Sequence, residues 1–494
     1  MNHLDKYLER TGKEKRSSAV IACLASLDHI YSTHPQIGEA ILKELKEQKE
    51  SLKLIASENY SSFSVQLSMG NWLTDKYAEG IPFHRFYAGC ENVDLIEQLA
   101  IDKAKKIFGA EHAYVQPHSG ADANLVAYWA ILVHKIQNRK MEEWGKKSLD
   151  ELSTEEYESI RQLMLSQKIM GLSLNSGGHL THGYRHNISS KMMKSVSFDV
   201  DPSTNKINYQ TLKQQVLEEK PLILVIGYSA YPRLIDFSVM KEIADSVGAV
   251  LMVDMAHFSG LVAGEVFRGV YNPIPYADIV TTTTHKTLRG PRGGMVLCKS
   301  AYKDVVNKGC PLVLGGPLPH VLAAKAIAFQ EADTPHFKDY AHQIVKNAQA
   351  LAERLRHHGI DLLTGGTDNH LLVIDVYKSF GLTGRQAENA LRLCGFTVNR
   401  NAVPFDKNGP WYTSGIRIGT PAVTTLGMKE KEMEDIADGI FYVLKRTQSV
   451  KIEGKEEKSL AKIHIDPAVV EEMKTLIGRL GKNFPLYPEL DIEF

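Results

Sequence analysis

The sequence predicts an α/β fold: a mostly parallel sheet in a large domain, followed by a smaller C-terminal α/β domain. Three observations point to it. Apolar or β-branched runs of strand length recur at 221–227 (PLILVIG), 249–255 (AVLMVDM) and 277–284 (ADIVTTTT). Helical spacing separates them, as at Met240, Ile243, Ala244 and Val247. After about residue 335 the texture changes to an Ala- and Lys-rich helix and shorter strands. Strands apolar along their whole length must be covered on both faces, which is the condition of a parallel sheet flanked by helices.

At 494 residues the chain exceeds one hydrophobic core, so several domains are expected. We divide it into an N-terminal helical arm (1–75), a large domain (76–335) and a small domain (336–494). Lys+Arg and Asp+Glu are both 58, so the formal net charge is zero and no basic stripe points to nucleic acid. The five cysteines (Cys23, Cys90, Cys298, Cys310, Cys394) are scattered without a CxxC pair. That pattern suits a reducing, cytoplasmic compartment and supplies no zinc or disulfide framework. Residues 1–16 are charged and lack the apolar stretch of a signal peptide. No run is apolar enough for a membrane span, so no membrane partner is expected.

Taken in order, 1–34 carries no strong signal. Residues 35–58 have helical spacing at Ile37, Ile41, Leu42, Leu45 and Leu52, with Pro35 in the first turn. A helix over about 94–110 stops at Gly109, and another begins near Ala123 after the loop His118-Ser119-Gly120-Ala121-Asp122. Residues 138–168 are dense in Glu and Lys, with a capping box at Ser153 and Glu156, and read as an inserted helical hairpin or surface excursion. The strands and helices of 221–286 follow, with Gly248 as a helix stop. A helix is expected over 336–358 and strands near 371–376 and 396–399. The charged stretch 451–458 (KIEGKEEK) reads as a linker, and Asp466-Pro467 opens a last amphipathic helix bearing Val470, Met473 and Ile477.

The chemistry gathers at strand ends, where open α/β sheets bind ligands. One strand finishes at Asp254 and another at His285-Lys286. A lysine just past a buried strand is partly desolvated, and its amine becomes nucleophilic. With an acid to hold a pyridine nitrogen protonated, it forms the two halves of a pyridoxal phosphate (PLP) site. The bland alternative is a lysine capping a strand and an aspartate in a turn. Ser119-Gly120 at a helix start can receive a phosphate, although the same loop could be an ordinary cap. Arg417, among the small residues of TSGIRIGT, can grip a carboxylate in bidentate fashion; alone it could equally be an ion-pair partner. His179 and His182 lack a third ligand type, so no metal is expected, and a ring stacked on an aromatic cofactor is the better use of His179. No P-loop or dinucleotide fingerprint is present.

Several motifs stand together: LIASEN (54–59), KYAEG (76–80), VQPHSG (115–120), GGHLTHG (177–183), VDMAH (253–257), VTTTTHKT (280–287), GPRGG (290–294), GGTDNHL (365–371) and TSGIRIGTPA (413–422). In this order, from about residue 34 to near the end, the chain resembles serine hydroxymethyltransferase of the bacterial type. The resemblance implies a fold-type I PLP enzyme with a seven-stranded sheet, a homodimer with shared active sites. It implies reversible transfer of the serine hydroxymethyl carbon to tetrahydrofolate, giving glycine and methylenetetrahydrofolate. By position, Lys286 carries the cofactor as a Schiff base, Asp254 faces the pyridine nitrogen, and His179 stacks on the ring. His257 and Ser229 lie near the phenolic oxygen. Ser119 and Gly120, with Tyr77, Gly315 and Gly316 of the other subunit, surround the phosphate. Ser57 and Arg417 take the substrate carboxylate, and Glu79 handles a proton. Tyr87, Thr283 and His285 tune the reaction, while Leu174, Gly178, Leu180 and Asn401 line the folate site. A carboxylate in a water-poor interface cleft can shuttle a proton in this way.

The chain departs from the family pattern at four places, one of them the 138–168 insertion. Phe86-Tyr87 stands where two tyrosines are usual. Ala121 replaces a serine of the phosphate loop, which removes a hydrogen bond worth roughly 1–2 kcal/mol to a charged acceptor. Pro311-Leu312-Val313-Leu314 precedes Gly315 in place of a Gly-rich stretch. These keep open a folate-independent aldolase or racemase acting on small amino acids. A catalytically idle binding scaffold is opposed by the intact Lys286, Asp254 and Arg417.

Overall fold

A computed structural model describes residues 2–452, 454, 456–490 and 492. The central sheet has seven strands: β1 (His112–Tyr114), β2 (Lys168–Leu172), β3 (Lys194–Phe198), β4 (Ile223–Gly227), β5 (Val250–Asp254), β6 (Ile279–Thr283) and β7 (Gly294–Cys298). Their spatial order is β1-β7-β6-β5-β4-β2-β3. Strands β2 to β6 pair in parallel, and β7 runs antiparallel to both β1 and β6. β4, β5, β6 and β7 are buried at every position. Alternate residues serve opposite faces. Leu224, Ile226, Leu251 and Val253 enter one core, and Ile223, Val225, Val250 and Met252 the other. This explains why these strands read as unbroken apolar runs.

A second core lies in the C-terminal third. There β8 (Leu371–Asp375), β9 (Asn399–Asn401) and β10 (Gly415–Gly419) form an antiparallel sheet in the order β8-β10-β9. It packs with the long helices Pro335–His357 and Glu430–Arg446. Leu52 and Leu54 belong to this core as well.

That contact corrects the helix expected over 35–58. It spans Pro35–Glu50. Leu52–Lys53 then pairs in parallel with Phe396–Thr397, and the Leu52 and Leu54 N–H groups donate to the Gly395 and Thr397 carbonyls. Segment 1–34, which looked featureless, forms the helices His3–Arg10 and Ser18–Thr33. Asp28 accepts hydrogen bonds from the His3 and Leu4 N–H groups, and Val20, Leu24 and Leu27 bury against Leu490 and Ile492. The expected linker at 451–458 is instead the tip of a hairpin between Gln448–Lys451 and Lys458–His464, with Gly454 in a left-handed conformation. Glu453 and Lys455 of that stretch, like Met1 of the charged N-terminus, lie outside the described residues. The excursion has the expected character: the Asn138–Glu143 and Thr154–Ser166 helices, with the Ser153–Glu156 capping box formed. Its last residue, Lys168, already belongs to β2. The helix after the His118 loop starts earlier than Ala123, at Gly120, with Ser119 as its N-cap.

Candidate active site

The sheet topology brings the candidate residues to one end. Asp254 closes β5, Ser229 lies two residues past β4, and Lys286 three past β6. His179 follows β2, and Ser119 follows β1. All sit at carboxyl ends, where neighbouring parallel strands leave a crevice.

Asp254 is held by three donors. Asn124 Nδ2 (2.9 Å) and His182 Nε2 (3.0 Å) reach Oδ2, and the Ala256 N–H (3.0 Å) reaches Oδ1. Burial pushes this carboxyl up, but the hydrogen bonds and the imidazoles of His182 and His179 outweigh it and hold the group well below the usual range. Asp254 is therefore ionised, as an acceptor for a pyridinium N–H must be. Asn124 is oriented in turn, donating to Thr181 Oγ1 at 2.7 Å and accepting from Thr281 Oγ1 at 2.5 Å. The ligand atoms of His179, His182 and Asp254 lie within 4.8 Å of one another. The direct His182–Asp254 contact makes that group a hydrogen-bonded support for the carboxylate.

Lys286 is buried, and desolvation lowers its amine from 10.5 to about 8, with Arg417 and Arg292 adding to the fall and Asp254 opposing it. A larger fraction is then neutral and nucleophilic near neutrality. Burial likewise keeps His179 neutral, at about 4. Its Nδ1 sits 2.8 Å from Thr181 Oγ1, which orients the ring. His257 is buried, far below its ordinary value through desolvation, with Nδ1 3.1 Å from Nε2 of the equally buried His370. Thr283 donates to the Ala256 carbonyl at 3.1 Å. Burial, with Arg292 and Lys286 nearby, lowers His285 to about 3.

Arg417 is the most informative side chain. It is 9% exposed, and burial lowers it to about 10. Its guanidinium donates to Asn399 Oδ1 (3.1 Å), the Ser229 carbonyl (2.7 Å) and Ser57 Oγ (3.5 Å). Among the described residues no carboxylate pairs with it, so the structural ion-pair alternative is not what the structure shows. A buried cation with only neutral acceptors lacks a counter-ion, and the carboxylate of an amino acid would supply one.

The Ser119-Gly120 loop forms a helix N-cap, and the Ser119 hydroxyl donates to Asp122 Oδ2 at 3.0 Å. Ser119 Oγ accepts from the Asp122 N–H at 3.1 Å, which caps a 13-residue helix. At Gly120 a Cβ would lie 2.6 Å from the Thr283 methyl, so only glycine lets the loop approach β6. These groups fit PLP: an amine for its aldehyde, an ionised carboxylate for its ring nitrogen, a flat neutral imidazole and a helix N-terminus.

Of the remaining candidates, Tyr77, Glu79, Tyr87, Gly315 and Gly316 form a second group nearer the surface, and the others lie apart from it. Tyr77 donates to Glu79 Oε1 at 3.2 Å, the Tyr77 and Tyr87 rings meet edge-on at 5.0 Å, and the Glu79 carboxylate raises both phenols. Gly316 lies against the Tyr77 ring, and its carbonyl is 3.0 Å from His118 Nε2; Gly315 beside it has a positive φ. No hydrogen bond joins Glu79 or Tyr87 to Lys286 or Arg417 among the described residues. Leu174 and Leu180 are exposed in the loop after β2, while Asn401 ends β9 and donates to the Ala402 carbonyl at 2.7 Å. Gly178 is buried, and a Cβ there would lie 1.9 Å from the Leu172 carbonyl oxygen. Its demand is thus steric, for close packing of the loop.

Sequence reasoning missed the residues that hold these groups. His182 was weighed only as a metal ligand. Thr181, Thr281 and His370 lie within quoted motifs but have no role readable from residue type, and Asn124 and Asn399 carry no local signal because they meet Asp254 and Arg417 from elsewhere in the chain.

Comparison with known proteins agrees with the geometry. The family model for serine hydroxymethyltransferase matches residues 30–142 and 152–440; the interval it skips, 143–151, falls within the surface excursion. A protein of Treponema pallidum (strain Nichols) named serine hydroxymethyltransferase is 55% identical over 99% of this chain and 85% of its own length. Proteins of the same name from Chlamydia muridarum and Chlamydia pneumoniae are 53% and 54% identical, over 99% of both chains in each case. With a family match that spans most of its length and the site of a PLP enzyme at its strand ends, the chain belongs to the serine hydroxymethyltransferase family.

Proposed function

We propose that Lys286, Asp254, His179 and Arg417 form the catalytic centre of a PLP-dependent serine hydroxymethyltransferase, and that the surface group completes it across a homodimer interface. The reaction is the reversible exchange of serine plus tetrahydrofolate for glycine plus methylenetetrahydrofolate. The single observation that carries the substrate assignment is Arg417, a buried guanidinium without a protein carboxylate, beside Ser57 and within the same crevice as Asp254.

Bound PLP supplies an electron sink for the carbanion left when the Cα–Cβ bond of serine breaks. Lys286 offers the amine that tethers it. Asp254, fixed by His182 and Asn124, keeps the pyridine nitrogen protonated. His179, its ring oriented by Thr181, would stack on the cofactor ring, and Ser229 and His257 would serve its phenolic oxygen. Ser119 and Gly120 receive the phosphate. Arg417 and Ser57 would hold the substrate carboxylate and so orient the amino acid in the crevice. Glu79 moves the proton of the serine hydroxyl or of folate, and Tyr87, Thr283 and His285 set the local polarity. Leu174, Gly178, Leu180 and Asn401 form the folate side.

The homodimer rests on exposed apolar surface around the second group. Trp72 is 91% exposed, Phe86 69% and Leu312 65%, and Phe86 and Leu312 line one open cleft; contiguous exposed apolar surface marks interaction sites. A partner covering that surface would bring Tyr77, Glu79, Tyr87, Gly315 and Gly316 to the other subunit's crevice. In the division into an arm (1–75), a large domain (76–335) and a small domain (336–494), the separate sheet and C-terminal cores support the two domains, while Phe337 and Ile344 pack into the sheet core and Leu52 and Leu54 of the arm into the C-terminal one. No described helix is long and apolar enough to cross a membrane, and all five cysteines are free thiols; both suit a cytoplasmic enzyme. Light scattering of the holoenzyme tests the assembly: a monomer at assay concentration with full activity sinks the shared-site reading. Glycine formation from serine with and without tetrahydrofolate tests the reaction, and turnover that ignores folate favours the aldolase alternative.

A further inference from the structure

Lys325 is the most buried cation outside the centre just described. It lies in the middle of the Pro319–Ala332 helix, 1% exposed, and desolvation lowers it to about 7 despite Glu97 and Asp122 nearby. Its ammonium donates to three backbone carbonyls: Val115 (2.6 Å), Pro117 (2.8 Å) and Gly294 (2.8 Å). An ammonium has three N–H donors, and here each is met by a carbonyl. Burying that charge is costly unless it is hydrogen-bonded, as it is here on all three donors.

Those carbonyls belong to the frame of the phosphate loop. Val115 and Pro117 lead directly into Ser119-Gly120. Gly294 opens β7, and its N–H donates to the Pro117 carbonyl at 2.9 Å. A Cβ at Gly294 would lie 2.0 Å from the Ser119 carbonyl oxygen, so loop and strand touch. Lys325 therefore stitches the descent of the loop to the start of β7, beneath the helix N-terminus.

We propose that Lys325 is a positioning residue for the PLP phosphate: it fixes the 115–120 loop so that the Ser119-Gly120 turn presents its backbone N–H groups as a preformed cradle, the Ser119 hydroxyl being engaged by Asp122 Oδ2 at 3.0 Å. This rests on the reading that the phosphate binds at Ser119-Gly120. A residue that serves only general stability would affect the whole cofactor alike. One that shapes the phosphate cradle discriminates PLP from pyridoxal, which has the aldehyde, ring and phenol but no phosphate.

The test is equilibrium binding of PLP and of pyridoxal, read from the visible band, to wild type, Lys325→Met and Gly293→Ala. The last is the milder change, since a Cβ at Gly293 would lie 2.5 Å from Lys325 Cε and displace the amine without removing it. Both variants are expected to weaken PLP at least about tenfold, the loss of charge-assisted hydrogen bonding, and to leave pyridoxal within about twofold on the same scale. An equal loss for both ligands, or no loss, overturns the proposal. If Lys325→Met does not fold, Gly293→Ala alone decides on the same criterion. If wild type itself fails to prefer PLP over pyridoxal, the phosphate-loop reading has failed rather than the role of Lys325.

Discussion

Replacing Lys286 with methionine should abolish turnover and make the cofactor-free protein more stable near neutrality. Methionine keeps the length and most of the volume of the lysine stem, so packing changes little. What disappears is a buried amine whose charged form the site disfavours. Its fall from 10.5 to about 8 is caused first by burial. At about 1.4 kcal/mol per pKa unit, that is about 3 kcal/mol against the charged lysine. The sign follows from proton counting. Between about pH 8 and pH 10.5 the unfolded lysine keeps its proton and the folded one has lost it, so native stability rises with pH across that window. Below it the penalty is present in full. Wild type should therefore gain about 2 kcal/mol relative to Lys286→Met from about pH 7 to about pH 9.5, with about 1 kcal/mol more by pH 10.5. Urea denaturation of the two cofactor-free proteins at a series of pH values measures the difference, and titrations elsewhere cancel in it. Parallel curves, with a gap that does not change with pH, would refute the idea that Lys286 is desolvated and poised as a nucleophile.

Other expectations follow from the same geometry. Arg417→Lys keeps the charge but loses the planar fork. KM for serine should rise at least about tenfold while the cofactor band stays intact, and an unchanged KM removes Arg417 from carboxylate binding. Ala121 is exposed at the first turn of the Gly120–Leu132 helix. Ala121→Ser should tighten PLP by a factor on the order of ten, and a titration curve superimposable on wild type would remove that account of the loop. Glu79→Gln should lower kcat by about a hundredfold or more, the scale of one general acid–base group. Glycine binding should persist in that variant, and wild-type kcat would show that the proton travels elsewhere.

Much of the fold could be read in the residues, for a physical reason. Strands β4, β5 and β6 are covered on both faces, so their apolar runs are continuous and their ends, Asp254 and Lys286, stand out as polar residues where none is needed for packing. Gly109 and the Ser153–Glu156 capping box mark helix ends through purely local bonds. Long-range pairing was not readable. The helix over 35–50 stops because Leu52 and Leu54 find a strand more than 340 residues away. Ser18–Thr33 is apolar on several faces and takes its place from the distant Leu490 and Ile492. The hairpin tip at Gly454 hid inside a run of charges, although Ser459, Ala461 and Ile463 form its half-buried face. The same division holds in the site. The residues proposed to touch ligand stand out in the sequence by type and position, whereas His182, Asn124 and Lys325 hydrogen-bond other protein groups and become visible only with their partners.

The most direct measurement is the visible absorption of the PLP-loaded protein, titrated with glycine and then with tetrahydrofolate. A hydroxymethyltransferase with both sites intact should show a long-wavelength band that is weak with glycine alone and grows sharply when folate is added. A spectrum that responds to glycine and is indifferent to folate would contradict the assignment, and would leave a PLP enzyme whose folate side, around Phe86 and Leu180, does not work.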